Sequence, residues 1–363
     1  MADRILALVT DAFAGKGGIA RYNRDLLSAW ARSAAVHVVP RGGGPTADLP
    51  RNLEQLGPVQ SRILYALKAM AAAVRHRPTV VFCGHLFMAP LALVVARLVR
   101  ARLVLQVHGI DAWTNPGGLR RWVIERADMI LSVSRYTRSR LLSWASIDPE
   151  RVVVLPNTVD ERFVPGDRST ARAKFGFGSG PVILTVGRLD ARERYKGHER
   201  VIDALPALLR SHPTLVYAIA GEGDDLDRLT ERVGQTGLQG VVRFVGPVRD
   251  EDLPDLYRAA DVFALPSTGE GFGIVFLEAM ACGTPAVGLA VAGALDALQD
   301  GRLGDACAVD ELPTVLDRLL HSLPVSESNH FGRGETLSDR VRQAFGTKAF
   351  GNRAEKILGL TAS

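Results

Sequence analysis

The sequence predicts an α/β protein of two doubly wound domains that face each other across a cleft. Three observations carry this. The chain has 363 residues, which exceeds one ordinary domain of roughly 100–200 residues. Apolar runs of strand length alternate with helical periods, and the alternation occurs twice. Between the two series, residues 156–170 hold two prolines, a glycine and several polar residues, which read as a linker.

In the first half, strand-like runs fall at 4–10, 36–39, 79–83, 102–107, 129–133 and 151–154. Helical stretches lie near 18–33, 61–76, 88–100, 118–126 and 135–146. Strands separated by helices pair in parallel through right-handed crossovers. The runs are apolar rather than alternating, as buried parallel strands should be. In the second half, strands are expected at 181–187, 214–220, 241–245, 261–265 and 285–288, with helices near 197–210, 222–236, 250–259, 272–281 and 311–321. This gives a Rossmann-like domain over 1–165, a second over 166–335, and a closing helix over 336–363.

Composition narrows the function. Hydrophobic residues make up 47% and charged residues 23%, which excludes a disordered or collagen-like chain. Cys83, Cys282 and Cys307 are odd in number and widely spaced, so neither a disulfide framework nor a zinc motif is expected. Residues 1–13 carry Asp3 and only a short apolar run, Ile5–Val9, and read as a first strand rather than a signal peptide. The apolar stretch Leu86–Leu105 includes Arg97, Arg100 and Arg102 and is unsuited to spanning a bilayer. Residues 1–165 hold 22 basic and 12 acidic residues, a net of +10, and the remainder nets −5. A basic first half suggests an anionic partner. Nucleic acid is not expected, because aromatics are only 6% and are not interleaved with the basic residues.

Three motifs carry chemistry. Gly15-Lys16-Gly17-Gly18 follows the first strand and opens a helix, where Gly17 and Gly18 let backbone amides approach a phosphate. Arg188 directly follows the 181–187 strand and Lys196 precedes the next helix, so two cations would meet a diphosphate at one sheet edge. The third is the run Ser267–Pro285. Glu270 precedes Gly271-Phe272-Gly273, the amides of Gly273, Ile274 and Val275 open a helix, and Glu278 lies one to two turns on. A loop carboxylate there can hold sugar hydroxyls.

Together these pieces resemble a family 4 glycosyltransferase of the GT-B fold. The resemblance rests on Gly17-Gly18, His108-Gly-Ile-Asp111, Asn157-Thr-Val-Asp160, Gly187-Arg188-Leu189, Tyr195-Lys196-Gly197, Gly221-Glu-Gly223, Phe244-Val-Gly246 and Glu270–Glu278. It implies that Arg188 and Lys196 bind the donor diphosphate, with the amides of 273–275 and the Gly17 loop. It implies that Glu278 holds the nucleotide ribose and Glu270 the transferred sugar. His108 would approach that sugar, and the loop at Pro247 and Val248 would lie against the base. Family members are retaining and metal-independent, so no cofactor is implied. The chain departs from the family's Gly-Gly-x-x-Glu at Ala292-Gly293-Ala294-Leu295-Asp296. Leu295–Leu298 with Asp300-Gly301 resembles a bacterial polysaccharide-assembly branch. That branch implies GDP-mannose as donor and a polyprenyl-diphosphate-linked oligosaccharide as acceptor. Two helical stretches of the basic first half, Ser61–Pro78 and Leu91–Arg102, are basic and apolar together, and predict a cytoplasmic enzyme held peripherally on the anionic inner face of the membrane. A UDP-sugar donor is the alternative. A sugar-nucleotide 2-epimerase shares the architecture, but the Glu270–Glu278 string argues against it.

Overall fold

The computed structural model describes residues 3–15, 17–44, 48–322 and 337–360. The chain divides into two units, Met1–Thr158 with Thr347–Ser363, and Val159–Gly346.

The first unit holds seven parallel strands: β1 (Arg4–Val9), β2 (Ala35–Pro40), β3 (Leu53–Gln55), β4 (Val80–Cys83), β5 (Arg102–Val107), β6 (Met129–Ser132) and β7 (Val152–Val154). Their spatial order is β3-β2-β1-β4-β5-β6-β7. The intervening helices are α1 (Gly18–Trp30), α2 (Arg62–His76), α3 (Ala89–Val99), α4 (Ile110–Trp113), α5 (Gly118–Ile124) and α6 (Arg135–Leu142). Central strands are buried along almost their whole length: all of β4 is buried, as is β5 beyond Arg102. Burial on both faces explains why period-2 alternation is missing from the sequence.

The second unit holds α7 (Arg168–Phe175), β8 (Val182–Val186), α8 (His198–Ser211), β9 (Val216–Ala220), α9 (Leu226–Gln235), β10 (Val242–Gly246), α10 (Leu253–Ala259) and β11 (Val262–Leu265). It continues through α11 (Ile274–Ala281), β12 (Ala286–Leu289), α12 (Ala294–Ala297), β13 (Asp305–Cys307), α13 (Leu312–His321) and α14, helical over 337–345. The six parallel strands run β10-β9-β8-β11-β12-β13.

Three elements differ from the sequence expectation. β3 and β13 are three-residue edge strands, too short to show a pattern. α7 replaces the end of the expected linker. Asp167 caps it by accepting from the amides of Ser169 and Thr170 at 3.0 and 3.2 Å, an N-cap signal that composition alone reads as loop. Arg168 and Arg172 then both pair with buried Asp261, which fixes α7 to the strand-β11 entry. The chain leaves the first unit after Thr158 rather than at 165, because Phe163 is fully buried against Tyr257 in the second. It re-enters at Thr347, where α15 (Thr347–Leu358) begins. α15 lies on α1: the Trp30 Nε1–H donates to the Ala354 carbonyl at 3.0 Å, and Tyr22 meets Phe350 edge-on.

Candidate active site

In an open parallel sheet, ligands bind beyond the carboxyl ends of strands where the order reverses. In the second unit that point lies between β8 and β11. Both loops leaving it are stitched together. The Thr268 amide donates to the Tyr195 carbonyl at 2.9 Å, and Arg200 donates to the Pro266 carbonyl at 2.8 Å. From the other side, the Leu189 amide donates to the Glu222 carbonyl at 2.9 Å. Gly221 sits at φ 144°, and a Cβ there would run into the Gly187 carbonyl. Only glycine allows the β9 loop to close on the β8 loop.

This scaffold gathers the expected cations. Arg188 and Lys196 share one carboxylate: Arg188 pairs with Glu193 Oε1, and Lys196 Nζ lies 3.1 Å from its Oε2. The Arg188 side chain is 71% exposed, so it can turn to a ligand, whereas that of Lys196 is only 15% exposed. Glu193 was not foreseen from sequence, and only its spacing from both cations hints at it. Glu270 feels both cations electrostatically; burial pushes its carboxyl above the usual range, while the Lys196 charge and a Ser267 hydrogen bond oppose this. Its Oε1 is buried with no hydrogen-bond partner, an acceptor left over for a ligand hydroxyl.

Beyond Glu270, Gly271 and Phe272 lead to Gly273 at φ 89°, which starts α11 without a side-chain cap. The first amides of α11, at Ile274 and Val275, therefore have no partner within the helix. Buried Phe272 packs on Phe345 at 5.7 Å and holds the loop from behind. Gly293 supports it too, its amide donating to the Glu270 carbonyl at 2.9 Å. Preceding Ala292 has φ 54°, a conformation glycine adopts without strain, which gives a physical reason for the family's paired glycines here.

Glu278 lies deep in α11, 2% exposed, and accepts from the Tyr257 hydroxyl at 2.8 Å. The sequence gives no sign of this partner, since Tyr257 reads as core. Val248 follows edge strand β10 and is separated by β9 from the strand that carries Arg188.

The first unit has its own reversal, between β1 and β4. Gly17 at φ 96° precedes α1, and a Cβ on Gly17 or Gly18 would meet nothing within 4 Å, so this backbone is open to approach. Lys16 lies outside the described residues. His108 follows β5, and its Nε2 is 2.9 Å from the Gly84 carbonyl. A carbonyl only accepts, so Nε2 carries the proton and Nδ1 keeps a lone pair. Burial pushes His108 down to about 4, keeping it neutral near pH 7. Its amide donates to Asp111 Oδ1 at 3.0 Å. Burial pushes Asp111 up to about 6, and its Oδ2 has no partner. His85, which follows β4, is electrostatically coupled to both. The His-Gly-x-Asp string signals Asp111; His85 has no signal.

Two family descriptions match the chain in tandem. Residues 16–163 match Glycosyltransferase Family 4, and residues 167–333 match Glycosyl transferases group 1. A GDP-mannose-dependent alpha-(1-6)-phosphatidylinositol monomannoside mannosyltransferase of Mycolicibacterium smegmatis is 37% identical over 253 residues, 64% of this chain and 65% of that protein. A D-inositol 3-phosphate glycosyltransferase of Geodermatophilus obscurus is 37% identical over 193 residues, 50% of this chain and 42% of that one. The matches thus span less than two thirds of these relatives' length. Among solved structures, Anabaena HepE in complex with UDP and glucose superposes with a TM-score of 0.75 at 19% identity, covering 98% of this chain and 99% of that one. The GT-B fold and the two tandem matches place the chain in glycosyltransferase family 4.

Proposed function

We propose that the protein is a retaining, metal-independent glycosyltransferase that moves mannose from GDP-mannose to a lipid-linked oligosaccharide in surface-polysaccharide assembly. The observation that carries this reading is the convergence of Arg188, Lys196 and the unpartnered Glu270 oxygen beside the uncapped start of α11. That set suits a sugar diphosphate: cations for phosphate, amides for anionic oxygens, a carboxylate for hydroxyls. In the step assigned to it, the bond from the sugar's anomeric carbon to the diphosphate oxygen breaks. The acceptor hydroxyl bonds to the same face of that carbon, and its proton passes to the departing diphosphate. Arg188 and Lys196 stabilise the charge that develops there. In the first unit, the His108 Nδ1 lone pair can accept a hydrogen bond from a ligand hydroxyl. The mannosyltransferase relative supports mannose and GDP; the UDP complex of HepE supports a UDP-sugar as the second reading.

No helix among the described residues is long and apolar enough to cross a membrane. Peripheral attachment to an anionic cytoplasmic leaflet is favoured by the surface of the first unit. Ile63, Leu64, Leu67 and Val74 on α2 and Val94 and Leu98 on α3 are each more than half exposed. Arg62, Lys68, Arg75 and Arg97 lie on the same two helices, the apolar-plus-basic composition that anionic bilayers bind.

A thermal-shift panel of GDP, UDP and ADP followed by donor-hydrolysis assays tests the donor. GDP is expected to stabilise most, by about 2.7 kcal/mol at 100 times its Kd, and turnover of GDP-mannose is expected to survive EDTA. Stabilisation by UDP alone selects the second reading; stabilisation by none of the three refutes both. Anionic vesicles are expected to sediment the protein in a salt-sensitive way, and equal recovery with neutral vesicles refutes membrane attachment.

A further inference from the structure

Among the described residues and outside the sites above, two clusters each bring ligand atoms of two histidines and a carboxylate within 4.8 Å of one another: His37, Glu54 and His76, and His212, Asp317 and His321. The first is a poor cradle for one ion. Its imidazoles stack at 3.6 Å with 26° between their planes, and a metal must lie near the plane of every ring that ligates it. In the second, the rings meet at 4.6 Å and 62°, so their in-plane lone pairs can converge.

The geometry points to a zinc-class divalent metal site at His212, Asp317 and His321 in the second unit. Asp317 and His321 stand four residues apart on α13, and therefore on one face. His212 follows α8, which packs against α13. His212 Nε2 lies 3.1 Å from Asp317 Oδ1, and His321 Nδ1 lies 3.5 Å from Asp317 Oδ2. Tetrahedral zinc with bonds of about 2.0–2.1 Å holds its ligand atoms about 3.3 Å apart, so the ion fits with small shifts. His321 Nδ1 also contacts the Asp317 carbonyl at 2.9 Å. To ligate through Nδ1 the ring exchanges this hydrogen bond for the ion and carries its proton on Nε2. The His321 side chain is 58% exposed, so water can accept from the Nε2 proton. Two imidazoles and one carboxylate suit zinc, with water completing the set.

The site is structural in placement. Lys196 precedes the 14-residue α8 and His212 follows it, which separates the metal from the cations by about 21 Å of helix at 1.5 Å per residue. The ion clamps the end of α8 to the last turn of α13.

The test uses the full chain stripped with EDTA and dialysed, then titrated with Zn²⁺ against a chromophoric chelator. Wild type is compared with His321→Gln and with His212→Gln plus His321→Gln. The single variant is expected to lose at least tenfold in affinity for one ion, and the double variant to take up one ion fewer per chain. Zinc is expected to raise the Tm of wild type and not of the double variant. Circular dichroism in EDTA checks that the variants fold, and Asp317→Asn replaces them if they do not. Equal uptake by wild type and double variant, or no uptake by wild type at micromolar zinc, overturns the proposal.

Discussion

Gly293 offers a test of the proposed donor loop, Glu270–Gly273, that replaces no charged residue. Its φ and ψ are −73° and −11°, a conformation alanine adopts freely, so Gly293→Ala carries no backbone strain. What it violates is space. The added Cβ would lie 2.7 Å from the Phe272 amide nitrogen and closer still to the Gly271 carbonyl. Ordinary contact begins near 3.4 Å, so the loop must retreat by more than about 0.7 Å. Overpacking of this kind costs about 1–3 kcal/mol. A shift approaching 1 Å at a positioning group costs up to about 10²-fold in rate, and the loop that moves carries Glu270. The expected result is a lowered Tm, with sugar transfer reduced roughly 10- to 100-fold. Gly240→Ala is the control, since a Cβ there meets nothing within 4 Å. Differential scanning fluorimetry with the stabilising nucleotide reads binding, and donor hydrolysis reads turnover. Gly293→Ala with wild-type Tm and wild-type turnover would refute the packing argument.

Three further outcomes are expected. Lys196→Ala should lower turnover by the equivalent of roughly 2–4 kcal/mol, the loss of a charge-assisted phosphate contact; turnover within threefold of wild type removes Lys196 from the site. Tyr257→Phe deletes the hydroxyl that donates to buried Glu278 and should cost about 1.5–3 kcal/mol of stability, with nucleotide binding weakened more than turnover; an unchanged denaturation midpoint contradicts it. His198 is buried, and burial with the Lys196 charge pushes it down to about 4. Below its ordinary value near 6.5 the unfolded chain gains a proton that the native state does not, so stability is retained above 6.5 and lost as pH falls towards 4, by at most about 3 kcal/mol. Urea midpoints at pH 7.5 and 5 should therefore differ more in wild type than in His198→Gln, and equal differences exclude this origin.

The sequence made legible what burial imposes on pattern. Central strands such as β4 and β11 are continuous apolar runs, and their alternation with helices fixes a parallel, doubly wound architecture. Glu270, Arg188 and Lys196 were legible because glycines and strand ends mark where a chain turns at a sheet edge. Edge strands β3 and β13 were not, since three residues carry no period. Nor were Glu193 and Tyr257: both act through partners distant in sequence or one helical turn away, and nothing local distinguishes them from a surface acid and a core aromatic. α7 was hidden because its capping Asp167 and the turn before it share one composition.

The pairing of Val159 with Gly346 sets the two crossings between units side by side, and it makes the first unit discontinuous in the chain. Residues 159–346 are contiguous and can condense as soon as they emerge from the ribosome. The first unit, although its strands are made earliest, cannot bury Trp30 and Tyr22 under α15 until residues 347–358 have been synthesised. At about 5–20 residues per second, β1 to β7 wait roughly ten seconds or more with one face of α1 uncovered. The order of synthesis is thus the reverse of the order of completion, and the nascent first unit is the stage at which a chaperone would have most to cover.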